Sequence, residues 1–424
     1  MSDPTVSSPT ASIIVTCYNI EPYIEQCLDS VTDQTLRDIE IIVVDDGSTD
    51  ATPDIVTAYA ERDQRIVPLL MPDNTPGGVA TAANLGLDRA TGGWVGFVDG
   101  DDFIEPTMFA KLVDTAERHD TELAICQYLE LDEQSGELGD PADVKRWADL
   151  RPGRYDLDPA TRRIFLPLIA VPWRKLYRRE LLEREPIRFP VGDYFYEDNP
   201  FHWFALLSAT SIAVVPEVLC FHRVARAGQT MATADERLFR IFRHHDTIAA
   251  WLAARGDLTQ YGDALVSWVV SQLEWIAYRT PGALRQELFD IVAPILQQYD
   301  AATIDRALNF GKKGTAAQEL ARAVHRGNFA SFTRSLNQRA GSNPLTAAAY
   351  HLRYSGVAET ARLTNRYVRR KASGLAPAVR RNGRAVTNED LMLAMMLLEQ
   401  RIEELSDRID AIASDRGPDQ PTST

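Results

Sequence analysis

Gly92-Gly93-Trp94-Val95-Gly96-Phe97-Val98-Asp99-Gly100-Asp101-Asp102 is a short apolar run that ends in three carboxylates spaced by one glycine. Tryptophan, valine and phenylalanine suit a pleated, buried surface, and the run has the length of a strand. Acidic residues at the carboxyl end of a buried strand lie where open α/β sheets bind ligands. Asp99 and Asp101 flank a small residue, so both carboxylates can converge on one hard cation that also carries a phosphate. An Asp-x-Asp alone also reads as a solvated acidic turn. The flanking sequence decides between the two.

Upstream, Ser12–Tyr18 and Ile39–Val44 read as buried strands, and Ile66–Leu70 as a third. Between them fall helices opened by Pro22 and Pro53, the second with Thr52 as its cap, and a helix over Val79–Ala90. Ile24, Cys27, Leu28 and Val31 give the first helix one apolar face. Strands alternating with helices predict an α/β fold, a mainly parallel sheet with helices on both faces. A second strand end, at Asp45-Asp46, then lies on the same edge as Asp99 to Asp102. That acidic crevice admits a nucleotide only with a divalent cation between, while a lone aspartate can accept hydrogen bonds from base or ribose. Neither the Gly-rich, lysine-bearing phosphate loop nor a Gly-x-Gly-x-x-Gly turn is present.

The chain has 424 residues, 45% hydrophobic and 25% charged, which is ordinary for two or three soluble domains. A formal net charge of -15 argues against nucleic acid as a partner. Cys17, Cys27, Cys126 and Cys220 have no paired metal-ligand spacing and fit a reducing compartment. Met1–Thr10 lacks a basic-then-apolar leader, and Leu206–Phe221 is interrupted by Pro216 and Glu217. A cytoplasmic protein is expected, possible peripheral contact at the inner face of the plasma membrane included.

Four motifs in order, Ile14–Asn19, Val43–Asp50, Gly78–Leu87 and Phe97–Asp102, resemble the family 2 glycosyltransferases, which have the GT-A nucleotide-diphospho-sugar transferase fold. The resemblance implies an inverting, metal-dependent transfer from a UDP-sugar in building a bacterial surface polysaccharide. It implies that Tyr18 and Glu21 line the uridine pocket and that Asp46, or its neighbour Asp45, bonds the uracil. It places Asp99 at the ribose and sugar, and Asp101 on Mg²⁺ or Mn²⁺; Thr16, Asn84 and Gly100 complete the donor set. The family's frequent Arg before the Asn of the third motif is Ala83 here.

Val171–Arg178, Ile187–Pro190 and Tyr194–Phe201 resemble the acceptor half of capsule and wall-teichoic-acid members. That resemblance puts the catalytic base on Asp198 and Trp173, Lys175 and Glu197 around the acceptor, a glycan, polyol-phosphate or lipid-linked hydroxyl. An inverting displacement needs one such base. Glu197 and Asp198 also read as acidic residues at a helix amino terminus, and both readings can hold together. Cys220–Arg223 and Arg226–Thr230 resemble the family's flexible lid, with Arg223 and Arg226 on the diphosphate. His222 reads either as a third metal ligand or as a packed histidine.

The boundaries expected are 1–128 for nucleotide-sugar binding, 129–235 for acceptor binding, 236–360 for a helical domain, 361–388 for a basic linker and 389–414 for a coiled-coil helix. The helical pattern breaks at Gly256 and Gly262. The linker reads as solvated or as a contact for anionic head groups. Leu391, Met395, Leu398, Ile402, Leu405, Ile409 and Ile412 form a heptad seam that favours a homo-oligomer over a single folded-back helix. Two other readings remain: a sugar-nucleotide nucleotidyltransferase, which needs a lysine-bearing loop this chain lacks, and a non-catalytic glycan- or nucleotide-binding scaffold, against which the intact aspartates speak.

Overall fold

Runs of isoleucine and valine bounded by turn residues form the strands where the spacing predicts them. In this computed structural model, which describes residues 8–192, 196–225 and 236–339, strand and helix alternate at the start. They are β1 (Ala11–Cys17), α1 (Glu21–Thr32), β2 (Ile39–Asp45), α2 (Thr52–Arg62), β3 (Ile66–Leu70), α3 (Val79–Arg89) and β4 (Trp94–Asp99). Next come β5 (Phe103–Ile104), α4 (Met108–Arg118), β6 (Leu123–Asp132), β7 (Leu138–Gly139), α5 (Val144–Trp147) and β8 (Gly153–Asp156). Then follow α6 (Pro159–Phe165), β9 (Lys175–Arg178), α7 (Arg179–Arg184), α8 (Asp198–Ser208) and β10 (Ser211–Val224). The rest is helical: α9 (Arg243–Arg255), α10 (Leu258–Ala277), α11 (Arg285–Gln297), α12 (Ala301–Phe310), α13 (Thr315–His325) and α14 (Phe329–Arg339).

The sheet runs β3-β2-β1-β4-β9-β6-β10-β5, with β7 on β6 and β8 on β10. β3, β2, β1 and β4 are parallel, and β6 runs parallel to β10. β9 lies antiparallel between β4 and β6, and β5, β7 and β8 also pair antiparallel. The sheet is therefore mixed, and only its first half is the parallel sheet expected. The cause is β9, a four-residue strand that enters from the opposite edge and joins the two halves. β3 is an edge strand, which accommodates Pro68 without loss of a ladder bond.

Register sets the site. Cys17 lies opposite Asp45, and Thr16 opposite Asp99. The two acidic strand ends thus flank the end of β1 on one edge. Behind them the four predicted α1 residues are all buried. Thr52 does not cap α2: its hydroxyl accepts the Ile20 amide at 3.1 Å, tying α2 to the start of α1, and Ala51 is the cap position.

Phe97, two residues before Asp99, makes edge contacts with Tyr177, Phe189 and Phe201 at 5.8, 5.5 and 5.8 Å between ring centres. Phe189 and Phe201 stack at 4.0 Å. Such pairs contribute about 0.5–1.5 kcal/mol each beyond burial. This cluster joins β4 to β9 and α8, and so sets Asp198, at the start of α8, relative to Asp99.

The helices build a second core, with Val269, Leu273, Leu288, Val292 and Leu320 among its members. Ile248, Leu252, Tyr261, Ala264 and Leu265 belong instead to the core of the sheet. Gly256 ends α9 in the left-handed conformation at φ 76°. Gly262 is no break, for it lies buried inside α10. Among the described residues no helix is long and apolar enough to cross a membrane. The basic linker and heptad seam lie outside the described residues.

Candidate active site

The end of β4 turns on Gly100, whose amide donates to the Thr16 carbonyl at 2.9 Å. A Cβ there would lie 2.5 Å from Ile20 Cδ1 and 2.9 Å from the Thr16 oxygen, so only glycine fits. The turn gathers Asp99, Asp101 and Asp102, one oxygen of each lying within 4.8 Å of the others. Burial and the neighbouring Asp102 and Asp101 push the Asp99 carboxyl well above its usual range. Hard oxygen donors crowded this way fit a divalent cation, which relieves their repulsion.

Asp102 is the member that sequence reading left out of the site. One of its oxygens contacts His222 Nδ1 at 2.9 Å and the other accepts the Arg223 amide at 2.8 Å. Burial opposes the charge on His222, but Asp102, Asp99 and Asp101 outweigh it and push the imidazole up to about 9. Trp173 stacks on the ring at 5.3 Å. His222 thus brings a positive charge to the acidic cluster, with Nδ1 engaged on Asp102.

His222 and Arg223 sit on β10, which continues through Pro216-Glu217 with register shifts near Val218. The flexible lid expected at these two residues is instead ordered strand. The Arg223 guanidinium reaches Glu133 and Gln26 and lies over the rings of Tyr23 and Phe103 at 5.2 and 5.5 Å. It is 7% exposed, so a direct diphosphate clamp would require it to leave this pocket. Arg226 lies outside the described residues.

On the donor side, the Ser48 amide and hydroxyl donate to the fully buried Asp45 and close the turn after β2. Asp46 accepts from the Thr75 hydroxyl and amide at 2.6 and 3.2 Å and from Asn74 at 3.1 Å. Burial raises its pKa, against those bonds. Nothing in the sequence marks Asn74 and Thr75 beyond the turn-forming residues of Asp73–Gly78 around them. Gly47, at φ 74°, lets that loop pass: a Cβ would meet the Asp73 carbonyl carbon at 2.2 Å. Tyr18 is 45% exposed, Thr16 lies nearly buried beside it, and Glu21 accepts the Ala51 amide at 3.2 Å. Asn84 exchanges two bonds with the Phe189 backbone, at 2.8 and 3.0 Å. Its carboxamide is committed to joining the halves. Ala83 is buried in α3.

On the acceptor side, burial pushes Asp198 up to about 6, against the charge of Lys175 and the Asn199 amides. Glu197 at the cap position makes no side-chain capping bond, and burial pushes it up to about 7. Asp198 is near enough to Asp99 for each charge to bear on the other. Lys175 and Trp173 are 2% and 3% exposed. The Lys175 ammonium donates to the Ala170 and Val171 carbonyls at 2.9 and 2.6 Å. These two residues shape the wall from within and do not offer a surface to an acceptor. Next to them Arg174 is fully buried on Asp143 at 2.7 Å and faces the rings of Tyr128 and Trp147.

A parallel half with acidic strand ends, joined through an antiparallel strand to a half bearing a recessed carboxylate, is the architecture of the GT-A class. A family model described as glycosyl transferase family 2 matches residues 12–184. The chain is 37% identical over 216 residues to the uncharacterized glycosyltransferase EpsJ of Bacillus subtilis, covering 51% of this chain and 61% of EpsJ. It is 32% identical over 269 residues to EpsH of the same organism, also named as a glycosyltransferase, covering 62% of this chain and 75% of EpsH. The crystal structure of S. aureus TarS 1-349 in complex with UDP-GlcNAc shares the fold at a TM-score of 0.64 and 21% identity, over 78% of this chain and 91% of that one. The chain belongs to glycosyltransferase family 2.

Proposed function

We propose that this protein transfers a sugar from a UDP-sugar to a hydroxyl of a glycan, polyol-phosphate or lipid-linked acceptor, with inversion, in making a cell-surface polysaccharide. The observation that carries the proposal is the crowding of Asp99, Asp101 and Asp102 at one strand end, within electrostatic reach of Asp198. Asp101 and its neighbours would hold Mg²⁺ or Mn²⁺, which when bound neutralises the departing diphosphate. Asp46, braced by Thr75 and Asn74, keeps lone pairs for the uracil imide, and Asp99 accepts from the ribose. Tyr18 offers an exposed ring to the base. Asp198 takes the acceptor proton as the hydroxyl attacks the anomeric carbon; a carboxyl near pKa 6 is mostly ionised at neutral pH yet basic enough to accept it. His222 and Arg223 contribute positive charge behind the cluster, and Arg226 is the remaining candidate for direct diphosphate contact. TarS, which shares the fold, was crystallised with UDP-GlcNAc, and this supports a uridine donor.

We place the enzyme in the cytoplasm, peripheral to the membrane, with the basic segment 361–388 at anionic head groups and the heptad seam joining copies. A panel of nucleotide sugars with and without Mn²⁺, read by thermal shift and by nucleotide release, tests the donor. Stabilisation by a UDP-sugar that requires the metal and disappears in Asp101→Asn is expected. Metal-independent binding of a different nucleotide sugar would refute the donor assignment.

A further inference from the structure

The start of α8 is bonded to a residue far outside both halves of the site. Trp268, on α10, donates its indole N–H to Asn199 Oδ1 at 2.9 Å. The Asn199 carboxamide nitrogen donates to Asp198 Oδ1 at 2.9 Å and to the Tyr196 carbonyl at 2.9 Å. Asn199 is 9% exposed. An indole nitrogen only donates, so the oxygen of the carboxamide must face α10. Both amide protons are then directed at the Asp198 carboxylate and the Tyr196 carbonyl. The flipped amide would set donor against donor at Trp268 and oxygen against oxygen at the other two partners. Trp268 itself packs against both the core of the sheet and the core of the helices, so its ring has little room to turn.

We infer that Trp268 is a positioning residue for the transfer reaction: by locking the Asn199 carboxamide it presents one N–H to Asp198 and holds that carboxylate in a single rotamer toward the acceptor. The inference rests on Asp198 being the base. It gives the helical region a part in the chemistry, through one indole proton. The ionisable groups around Asp198 are Lys175 and Tyr177 on β9, Asp99 on β4, and Tyr196 and Glu197 beside it. Lys175 is the one basic group in this set, and burial pushes its pKa well below the usual lysine range. Asn199 supplies the neutral donor, and its side chain is among the groups that hold the Asp198 carboxyl down against burial.

Trp268→Phe removes the N–H and keeps the ring. The pH profile of acceptor kcat/KM should then shift its acid limb upward by about half a unit to one unit, with transfer near pH 6 falling about 2- to 5-fold. Near pH 8 the loss should be much smaller, and the donor KM should not change. Asn199→Leu should give the same shift or a larger one, and adding Trp268→Phe to it should add nothing, because both act through one contact. An unshifted acid limb in Trp268→Phe, or two variants whose effects multiply, would overturn the inference. If Trp268→Phe does not fold, an unshifted limb in Asn199→Leu overturns it instead. Full transfer by Asp198→Asn would fail the base assignment itself; an inactive Asp198→Asn beside an unshifted Trp268→Phe fails only the relay.

Discussion

Asp198→Asn should make the protein slower and more stable at once. The rate loss follows from removing a general base, worth about 10²- to 10⁴-fold. The stability gain follows from burial. The step from the ordinary 3.8 to about 6 corresponds to about 3 kcal/mol between the protonated and ionised forms. Its sign is set by the direction of the displacement. A raised carboxyl is favoured protonated in the fold, so wild-type stability from this group is complete below the unfolded value and declines as pH rises through about 6. The asparagine variant has no such decline. Part of the gain is offset, because the carboxylate keeps some solvent and Lys175 loses a counter-charge. About 1–2 kcal/mol should remain near pH 8 and vanish near pH 4. Glu197, pushed up to about 7 chiefly by burial with the Asp198 charge adding to it, declines in the same sense in both proteins, and only the burial part cancels. Urea unfolding of both proteins across that range, beside nucleotide release with acceptor, measures the two effects. In wild type, transfer should fall about tenfold from near pH 7 to near pH 5. Full transfer by Asp198→Asn refutes the reasoning; if Glu197→Gln is the dead variant instead, the base is Glu197.

Asp101→Asn should abolish the metal dependence of donor binding, seen by calorimetry with and without Mn²⁺, and lower transfer at least about 100-fold; unchanged metal-dependent binding argues against it as a ligand. Gly100→Ala should destabilise the fold by about 1–3 kcal/mol, since its Cβ meets Ile20 and the Thr16 carbonyl, and a midpoint equal to wild type would show that the turn can shift. Arg174→Ala leaves Asp143 buried without its partner, at a cost of about 3–5 kcal/mol, whereas Arg174→Met with Asp143→Leu should recover much of it; limited proteolysis would report the difference.

β1 to β4 were legible because each is an apolar run of strand length with a breaker at both ends, and their boundaries fall within a residue or two of expectation. β9 could not be read as an antiparallel insertion, because a Lys-Leu-Tyr-Arg run carries no mark of direction. Ile212–Val215 reads in the sequence as a short strand, since the proline and glutamate that follow suggest a strand end; the register shifts beside Val218 absorb both and let β10 continue. That continuation places His222 on Asp102, a contact across 120 residues that no local pattern encodes. Lys175 and Trp173 look like surface chemistry in the sequence, yet the carbonyls of Ala170 and Val171 take the ammonium inward. The bond between Asn199 and Trp268 is not legible in the sequence, because a single hydrogen bond between distant helices leaves no trace in periodicity.

The commitment of α9 to the core of the sheet, and the sharing of α10 between the two cores, have a consequence for modular exchange. Ile248, Leu252, Tyr261 and Leu265 complete the wall behind the sheet, so a chimera spliced just after β10 would inherit a transferase half with an open hydrophobic seam. A graft that leaves α9 and α10 with the sheet, and joins beyond Ala277, keeps that wall and the indole of Trp268 together.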